Sequence, residues 1–589
     1  MKVLSFSLIL FIIILSFRLN EFSFAKEKNE GKRNGTVAIN QISSQQTAYL
    51  IDVNRLKIPL RNDGVMFDVS GYGSLQQYDE NQVMFSGGFF LVGKNGEQLW
   101  ANGVATASRV LDYLPGKVGS NPNDTLNIIY VVKSTDTPFG PSWQAYRNAV
   151  LLGAEFYDGD GDGIYNPVDK NGNGQWDANE DKPFILGDVT TYCVYNDSQV
   201  DTLRRYRGVP PFGIEIHQTA FAVGNPNSPL YNTIFFKYKL INRGLVNNLL
   251  DSVYFLFWSD PDLGSYIDDL VGSDSALNSV YCYNKGQDNL YGQNPPAISQ
   301  TMLQGPVVYI PGETFIDNNS NGIYDAGIDI PLDTAIVNLG GLLGVKKYPG
   351  AKNQSVKSLF YYIKSNPPIL NDPMYVPNVW NYAHGRNKEG THIDPCTWAF
   401  GQVFNYPCNL VNPIYIYSGD PVTQIGWIDT IGTDVRMFVS TGPFKLRLNE
   451  PVEMWFAIVA GRGNSHLNSV SVMKENILSA FNYYKSNFGS LPIKIEDEEI
   501  VVKDFVLYQN YPNPFNPETE IKFTIPEKQF VTLKVYDLLG REIRTLVNET
   551  LTGGEYSVKF NAENLPSGIY MYELRSGKSA QAKKMVYLK

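Results

Sequence analysis

The sequence predicts a mainly β protein: a multi-domain body of antiparallel β-sandwiches with a few helices, followed by a smaller β-sandwich at the C-terminus. Three observations lead there. Charged residues make up only 18% of the chain and aromatics 13%, with 37 Tyr and 32 Phe, and aromatic and β-branched side chains fit a pleated, half-buried surface. Fifty-one Gly and 34 Pro supply turns throughout. The apolar runs are short and separated by polar connections, the pattern of antiparallel sheets. A chain of 589 residues has room for several domains. The net charge of −10, with no clustered Lys or Arg, argues against a nucleic-acid partner, whose phosphates demand such clusters.

In chain order, residues 1–25 have the architecture of a signal peptide. A basic start at Met1-Lys2 precedes the apolar run Val3 to Phe17, and Ser23-Phe24-Ala25 offers small residues ahead of a cut before Lys26. The alternative is an uncleaved anchor, but the run is shorter than the ~20 residues that span a bilayer. Residues 26–47 are polar, lack periodicity and read as a flexible leader. The region 48–488 is β-rich, with strand candidates at Val83-Met84-Phe85 and Gly88 to Val92, and the most regular β stretch from Gly213 to Trp258. Val435 to Val439, Phe444 to Leu448 and Met454 to Val459 are expected to close the sandwich. Helices are expected at Trp143 to Phe156 and Leu467 to Phe488; the second carries Val470, Met473, Ile477, Ala480, Phe481 and Tyr484 on one face and ends at Gly489. Residues 489–504 contain an acidic cluster and read as a linker.

From 505 to 589 short alternating strands recur between turns: Ile521, Phe523 and Ile525, then Val531, Leu533 and Val535, with turns at Asp537 to Gly540, Gly553-Gly554 and Leu565 to Gly568. Three blocks here, NYPNPFNPET (Asn510 to Thr519), VYDLLGREI (Val535 to Ile543) and LPSGIYMYEL (Leu565 to Leu574), stand in order before a basic tail at Lys583-Lys584. This segment resembles the type A C-terminal sorting domain of the type IX secretion system. The resemblance implies an Ig-like sandwich and export across the outer membrane of a diderm bacterium by the type IX machinery. It also implies cleavage of the tail and attachment of the cargo to surface lipopolysaccharide. The stretch Thr441 to Gly463 resembles the uncharacterised cargo regions found ahead of such domains, which implies no particular activity.

Chemistry is most legible in three acidic loops. Residues 158–169, DGDGDGIYNPVD, fit the EF-hand loop pattern, with Asp158, Asp160 and Asp162 at positions 1, 3 and 5 of a twelve-residue cation loop, Gly163 at the sharp turn, the Ile164 carbonyl at 7 and Asp169 at 12. Residues 169–180, DKNGNGQWDANE, repeat this with Asp169, Asn171, Asn173, the Gln175 carbonyl, Asp177 and Glu180. The two share Asp169, so no helix fits between them, and they resemble the calcium loops of dockerin-like or thrombospondin type 3-like segments. A third copy, 317–329, offers Asp317, Asn319, Asn321, the Ile323 carbonyl and Asp325, but position 12 is Ile328 and the carboxylate falls one residue late at Asp329. Hard oxygen donors on alternate residues suit Ca2+, and seven carboxylates between Asp158 and Asp181 repel one another without a counter-cation. Structural Ca2+ is therefore expected; solvated Asx-rich turns are the competing reading. A second acidic cluster, Asp260, Asp262, Asp268, Asp269 and Asp274, reads as a solvated loop or a further cation site.

Cys396 and Cys408, nearest in sequence, are the first pair for a disulfide, with Cys193 and Cys282 as the second pair or as separate buried thiols. The four histidines His217, His384, His392 and His466 form no HExxH, and no GxSxG or phosphate-binding loop is present. Two function classes follow. One is a secreted or surface protein with a binding or structural body, directed at a glycan or other surface ligand. The other is a secreted hydrolase whose carboxylate pair sequence spacing does not reveal.

Overall fold

The computed structural model describes residues 47–489 and 505–588, apart from 70–71, 73–76, 105–111, 365–366, 511, 527, 538–539, 553 and 578. The signal peptide, almost all of the leader, the linker from 490 on and parts of two turns in the tail fall outside these residues. Strand content dominates, as the composition predicts.

Among the described residues, twelve longer strands make up most of the two main sheets of the body: β1 (Met84–Asn95), β2 (Gln98–Val104), β3 (Val189–Asn196), β4 (Ile214–Ala222), β5 (Thr233–Asn242), β6 (Leu249–Pro261), β7 (Asp269–Asp274), β8 (Ser279–Asn284), β9 (Ala297–Gln304), β10 (Val356–Ile363), β11 (Val435–Arg447) and β12 (Val452–Gly461). A nine-stranded sheet runs β7-β8-β9-β12-β5-β4-β3, with Leu114–Pro115 and Tyr130–Lys133 both paired to β3. A five-stranded sheet runs β10-β11-β6-β1-β2. All these pairings are antiparallel.

The sheets stack through interlocked aromatic rings. Phe456 on β12 lies 5.4 Å from Phe255 and 4.8 Å from Phe257, both on β6, and Phe89 on β1 stacks on Phe255 at 5.0 Å and meets Tyr238 of β5 at 5.7 Å. Strand β12 shows why these segments look uniformly apolar in sequence. Met454, Phe456, Ile458 and Ala460 enter the core between the sheets, while Trp455, Ala457 and Val459 enter a second core on the opposite face. A strand alternates its side chains between faces, so a strand covered on both sides is apolar at every position.

Helices cover both outer faces. Helix α1 (Pro141–Leu152) starts with Pro at its first position and ends at left-handed Gly153. Helix α2 (Val376–Ala383) lays Tyr382 on Phe360 and Tyr362 of β10. Helix α3 (His466–Lys485) is capped by the Ser465 side chain and buries Val470, Met473, Ile477, Ala480, Tyr483 and Tyr484 against the nine-stranded sheet. Phe481 is only half-buried. Gly489 does not end this helix: Asn487 and Phe488 take the left-handed conformation instead. The Asn487 side chain accepts from the Gly340 N–H and donates to its carbonyl, both at 2.8 Å, and this outside contact holds the reversal that glycine was expected to provide.

Other expectations need correction. The two segments at Val83 to Val92 form one strand, β1, as do Val435 to Val439 and Phe444 to Leu448 in β11. Cys396 and Cys408 are bridged; Cys193 and Cys282 are buried free thiols. They sit on β3 and β8, five steps apart in one sheet, or roughly 24 Å at about 4.8 Å per step, whereas a bridge needs Cα atoms within about 7 Å. The cluster after Trp258 is not a solvated loop. Asp260, Asp262 and Asp269 are buried; Arg436 pairs with Asp260 at 3.0 Å and with Asp434 at 2.6 Å, and Gln82 donates to Asp262 at 3.0 Å.

The tail has β13 (Val506–Leu507), β14 (Glu518–Ile525), β15 (Gln529–Tyr536), β16 (Glu542–Leu551), β17 (Gly554–Asn561), β18 (Gly568–Ser576) and β19 (Ser579–Tyr587). They form a three-stranded sheet, β13-β14-β17, and a four-stranded sheet, β16-β15-β18-β19, around a core that includes Ile521, Phe523, Val531, Leu533, Val535, Phe560 and Tyr572. The first motif block is held by the third. The Asn510 N–H donates to the Tyr572 hydroxyl at 2.7 Å, and that hydroxyl donates to the Tyr508 carbonyl at 2.8 Å. Buried Phe515 packs on Tyr587 of β19, and its N–H donates to Val586.

Replacing Phe456 by Ala removes a ring shared by both sheets. Chemical denaturation of the full chain should show about 3–5 kcal/mol lost from the body, and Tyr572→Phe about 1–3 kcal/mol lost from the tail, read by hydrogen exchange of residues 508–515.

Candidate functional site

The acidic loops grow from two small hairpins of the same design. Strand Phe156–Tyr157 pairs with Lys182–Pro183, and strand Phe315–Ile316 pairs with Ile330–Pro331. Asp158 and Asp317 are the first residues after the outgoing strands; Asp181 and Asp329 are the last before the returning ones. In the second hairpin the Asp329 carboxylate accepts from the N–H of Asn318 at 2.9 Å and of Asp325 at 2.7 Å. In the first, Asp181 makes the equivalent pair of bonds, from Gly159 at 3.0 Å and Asn166 at 2.6 Å. Between them, Glu180 accepts from Lys170 at 2.6 Å and Asp177 at 2.9 Å. In each loop the amides at positions 2 and 9 are thus gathered by one buried carboxylate.

The loops at 158–181 are therefore nested rather than consecutive. Residues 169–180 form a complete loop of their own, inserted into an outer loop that begins at Asp158 and is gathered at Asp181. The Asp169 carboxylate serves the inner loop, accepting from Gly172 at 2.6 Å and Gly174 at 2.7 Å; the Gly174 bond leads the contributions that hold it below its ordinary range. Asp181 is the residue that the sequence reading missed. The signal for it was the doublet Glu180-Asp181, one acid per loop.

The rest of the frame repeats as well. The position-1 carboxylate accepts from the position-6 glycine N–H in all three loops: Gly163 to Asp158 at 2.9 Å, Gly174 to Asp169 at 2.7 Å and Gly322 to Asp317 at 2.7 Å. Position 5 accepts from position 7: Ile164 to Asp162, Gln175 to Asn173 and Ile323 to Asn321. These glycines have φ between +72° and +77°, where a side chain is strained. Position 8 fastens each loop. Buried Tyr165 donates to the Trp143 carbonyl, Trp176 donates to the Glu180 carbonyl under Lys182, and Tyr324 packs on Phe315.

The donor set suits a hard divalent cation. Carboxylate oxygens of Asp158, Asp160 and Asp162 lie within 4.8 Å of one another, with Lys170 on Asp160 at 2.8 Å. That ion pair is the leading cause holding Asp160 below its usual range. In the other loops Asn171 and Asn173 aim their amides at Asp177, and Asn319 and Asn321 aim theirs at Asp325. The Asn bonds are what lower Asp325.

His384 and His392 have structural partners. His384 packs at a tilt against Trp380 and Tyr254, and His392 bonds the Gly385 carbonyl. A cavity of about 270 Å³ lies between Phe184 to Gly187, Leu339 to Leu343 and the end of α3, and no carboxylate lines it. Among the described residues no helix is long and apolar enough to cross a membrane.

Residues 509–588 match the family described as secretion system C-terminal sorting domain. The tail is thus a sorting domain, which marks a secreted or cell-surface protein and supports reading the chain as cargo of the type IX system. No curated protein matches the chain. Among solved structures, a polysaccharide lyase aligns with a TM-score of 0.26 and 7% identity over 93% of this chain. The chain spans about half of that protein's length (47%), and a likeness at this level carries no argument.

Exchanging Asp181 for Ala strips the acceptor from the Gly159 and Asn166 amides. It should destabilise the outer loop by about 1–3 kcal/mol even without metal, with the loss confined to residues 156–183 in a hydrogen-exchange map.

Proposed function

We propose that this chain is type IX secretion cargo whose body is completed by Ca2+ outside the cell and serves a binding or structural role at the surface. The match of residues 509–588 carries the export half of this reading. The signal-peptide pattern at 1–25 supplies the earlier step, and the Asn510, Phe515 and Tyr572 contacts tie the first motif block to the third and to the last strand. Removal of the tail and transfer of the body to lipopolysaccharide follow from the resemblance.

The calcium half is supported by the repeated frame. Asp158, Asp160, Asp162, the Ile164 carbonyl and Asp181 would hold one ion. Asp169, Asn171, Asn173, the Gln175 carbonyl, Asp177 and Glu180 would hold a second. Asp317, Asn319, Asn321, the Ile323 carbonyl, Asp325 and Asp329 would hold a third. Bound Ca2+ supplies positive charge that offsets crowded carboxylates. Affinity on the order of 10⁻⁴–10⁻³ M suits an extracellular module.

Two experiments check the halves separately. Cells expressing the chain without residues 505–589 should retain it, while full-length chain reaches the surface or medium; equal export of both sinks the sorting claim. Adding Ca2+ at a hundred times its dissociation constant should stabilise the purified chain by about 2.7 kcal/mol for each ion bound, and excess chelator should reverse this. A melting temperature indifferent to both contradicts the metal claim.

A further inference from the structure

On the outer face of the nine-stranded sheet, a polar cluster sits under the end of α1. His217 of β4 is buried, with Nδ1 2.7 Å from the Tyr192 hydroxyl and Nε2 2.9 Å from Glu215 Oε1. That Glu215 oxygen also accepts from Arg243 at 2.6 Å, and the other from the Val118 N–H at 3.1 Å. A carboxylate serving these donors is itself an acceptor, so Nε2 carries the ring proton and Nδ1 accepts from Tyr192.

We propose that this cluster makes the seam between α1 and the sheet a pH-sensitive joint, closed while His217 is neutral and opened when it is protonated.

A second ring proton must go to Nδ1, where Tyr192 already donates. The hydroxyl would have to turn round and find another acceptor, in an adjoining space of only about 10 Å³. The charges facing the ring are already matched. Lys237 and Lys239 on β5 and Arg243 after it stand against Glu215 on β4, Glu155 after α1 and Glu453 on β12; Lys237 binds Glu155 at 2.7 Å and Glu453 at 3.5 Å. Tyr146 of α1 lines the same space, and burial pushes its hydroxyl well above the ordinary value, so it stays neutral. A proton on His217 adds a charge without a counterpart. Burial already pushes the imidazole below its ordinary value, with Lys239 and Arg243 adding to this and Glu215 opposing it.

The element that must give way is the cover. Gly153 lies directly on the ring, so close that a Cβ there would stand 2.7 Å from His217 Cε1. Lys239 holds the Gly153 carbonyl at 3.3 Å, and Tyr146 holds the Glu155 carbonyl at 2.9 Å. Lifting Gly153 to Glu155 lets water reach the imidazolium.

The closed state binds fewer protons than the open one, so closure is fully stable above about pH 6.5, the ordinary histidine value, and weakens as pH falls below it. In the full-length chain, hydrogen exchange of residues 149–157, corrected for intrinsic rates, should speed up about tenfold between pH 7.5 and 5.5. In His217→Gln it should not. Unchanged protection in the wild type, or an equal loss in the variant, overturns the proposal. If the variant does not fold, the wild-type His217 ring is titrated by NMR: a midpoint below about 6.5 supports the joint, and one at or above it overturns it.

Discussion

The body depends on burying its nine-stranded sheet on both faces. Strands β5 and β12 run through the middle of that sheet and expose almost nothing to water. One face needs the five-stranded sheet, which meets it through Phe89, Tyr238, Phe255, Phe257 and Phe456. The other needs α1 and α3, which meet it through Tyr146, Met473, Ile477 and Tyr484. Neither covering layer is optional, because uncovering either face exposes a continuous sheet of large apolar side chains at roughly 25 cal/mol per Å². Helices outside two stacked sheets are the consequence.

Upon this base the acidic loops are held at their ends and, in the outer loop, by α1, where Gln144 and Arg147 donate to Pro167, Tyr165 and Asn166. The outer loop and the third each spring from a two-residue strand pair, the inner loop springs from the outer one, and each is fastened by one aromatic side chain at position 8. What gathers each loop is a buried carboxylate that ties down backbone amides, while in the outer loop the acids at positions 1, 3 and 5, Asp158, Asp160 and Asp162, converge on one another. The protein thus concentrates negative charge where few apolar contacts oppose its spreading. Nesting one loop within another raises the density further, since Glu180 and Asp181 gather two loops from adjacent positions.

Much of this was legible from local pattern. Helix α3 was readable because its apolar residues recur at helical spacing, and β5 and β6 because two long strand-forming runs are separated by a short polar connection. The loop frames were visible because alternate oxygen donors and a glycine at position 6 are close in sequence. What escaped lies where a partner is remote. Asp181 stands twelve positions beyond the residue expected to close its loop, and only the strand pairing that brings Lys182 back to Tyr157 identifies it. Asn487 takes a left-handed turn because Gly340 binds it, a contact that periodicity cannot anticipate. The buried Asp260 looked solvated until Arg436, far along the chain, was seen to pair with it. Glu215 and His217 are two apart on one strand and so share a face, yet their link to Tyr192 needs the pairing of β3 with β4.

Export and calcium belong together in this account, since a fold that relies on a weakly held ion is completed where that ion is plentiful. Its central claim is that divalent ions are part of the folded body, and calorimetric titration of metal-stripped full-length chain with Ca2+ tests it most directly. Saturable binding of more than one ion per chain, with the stoichiometry reduced by Asp181→Ala, is the predicted result. No binding heat up to about ten millimolar Ca2+, beyond the range of extracellular calcium modules, would contradict it.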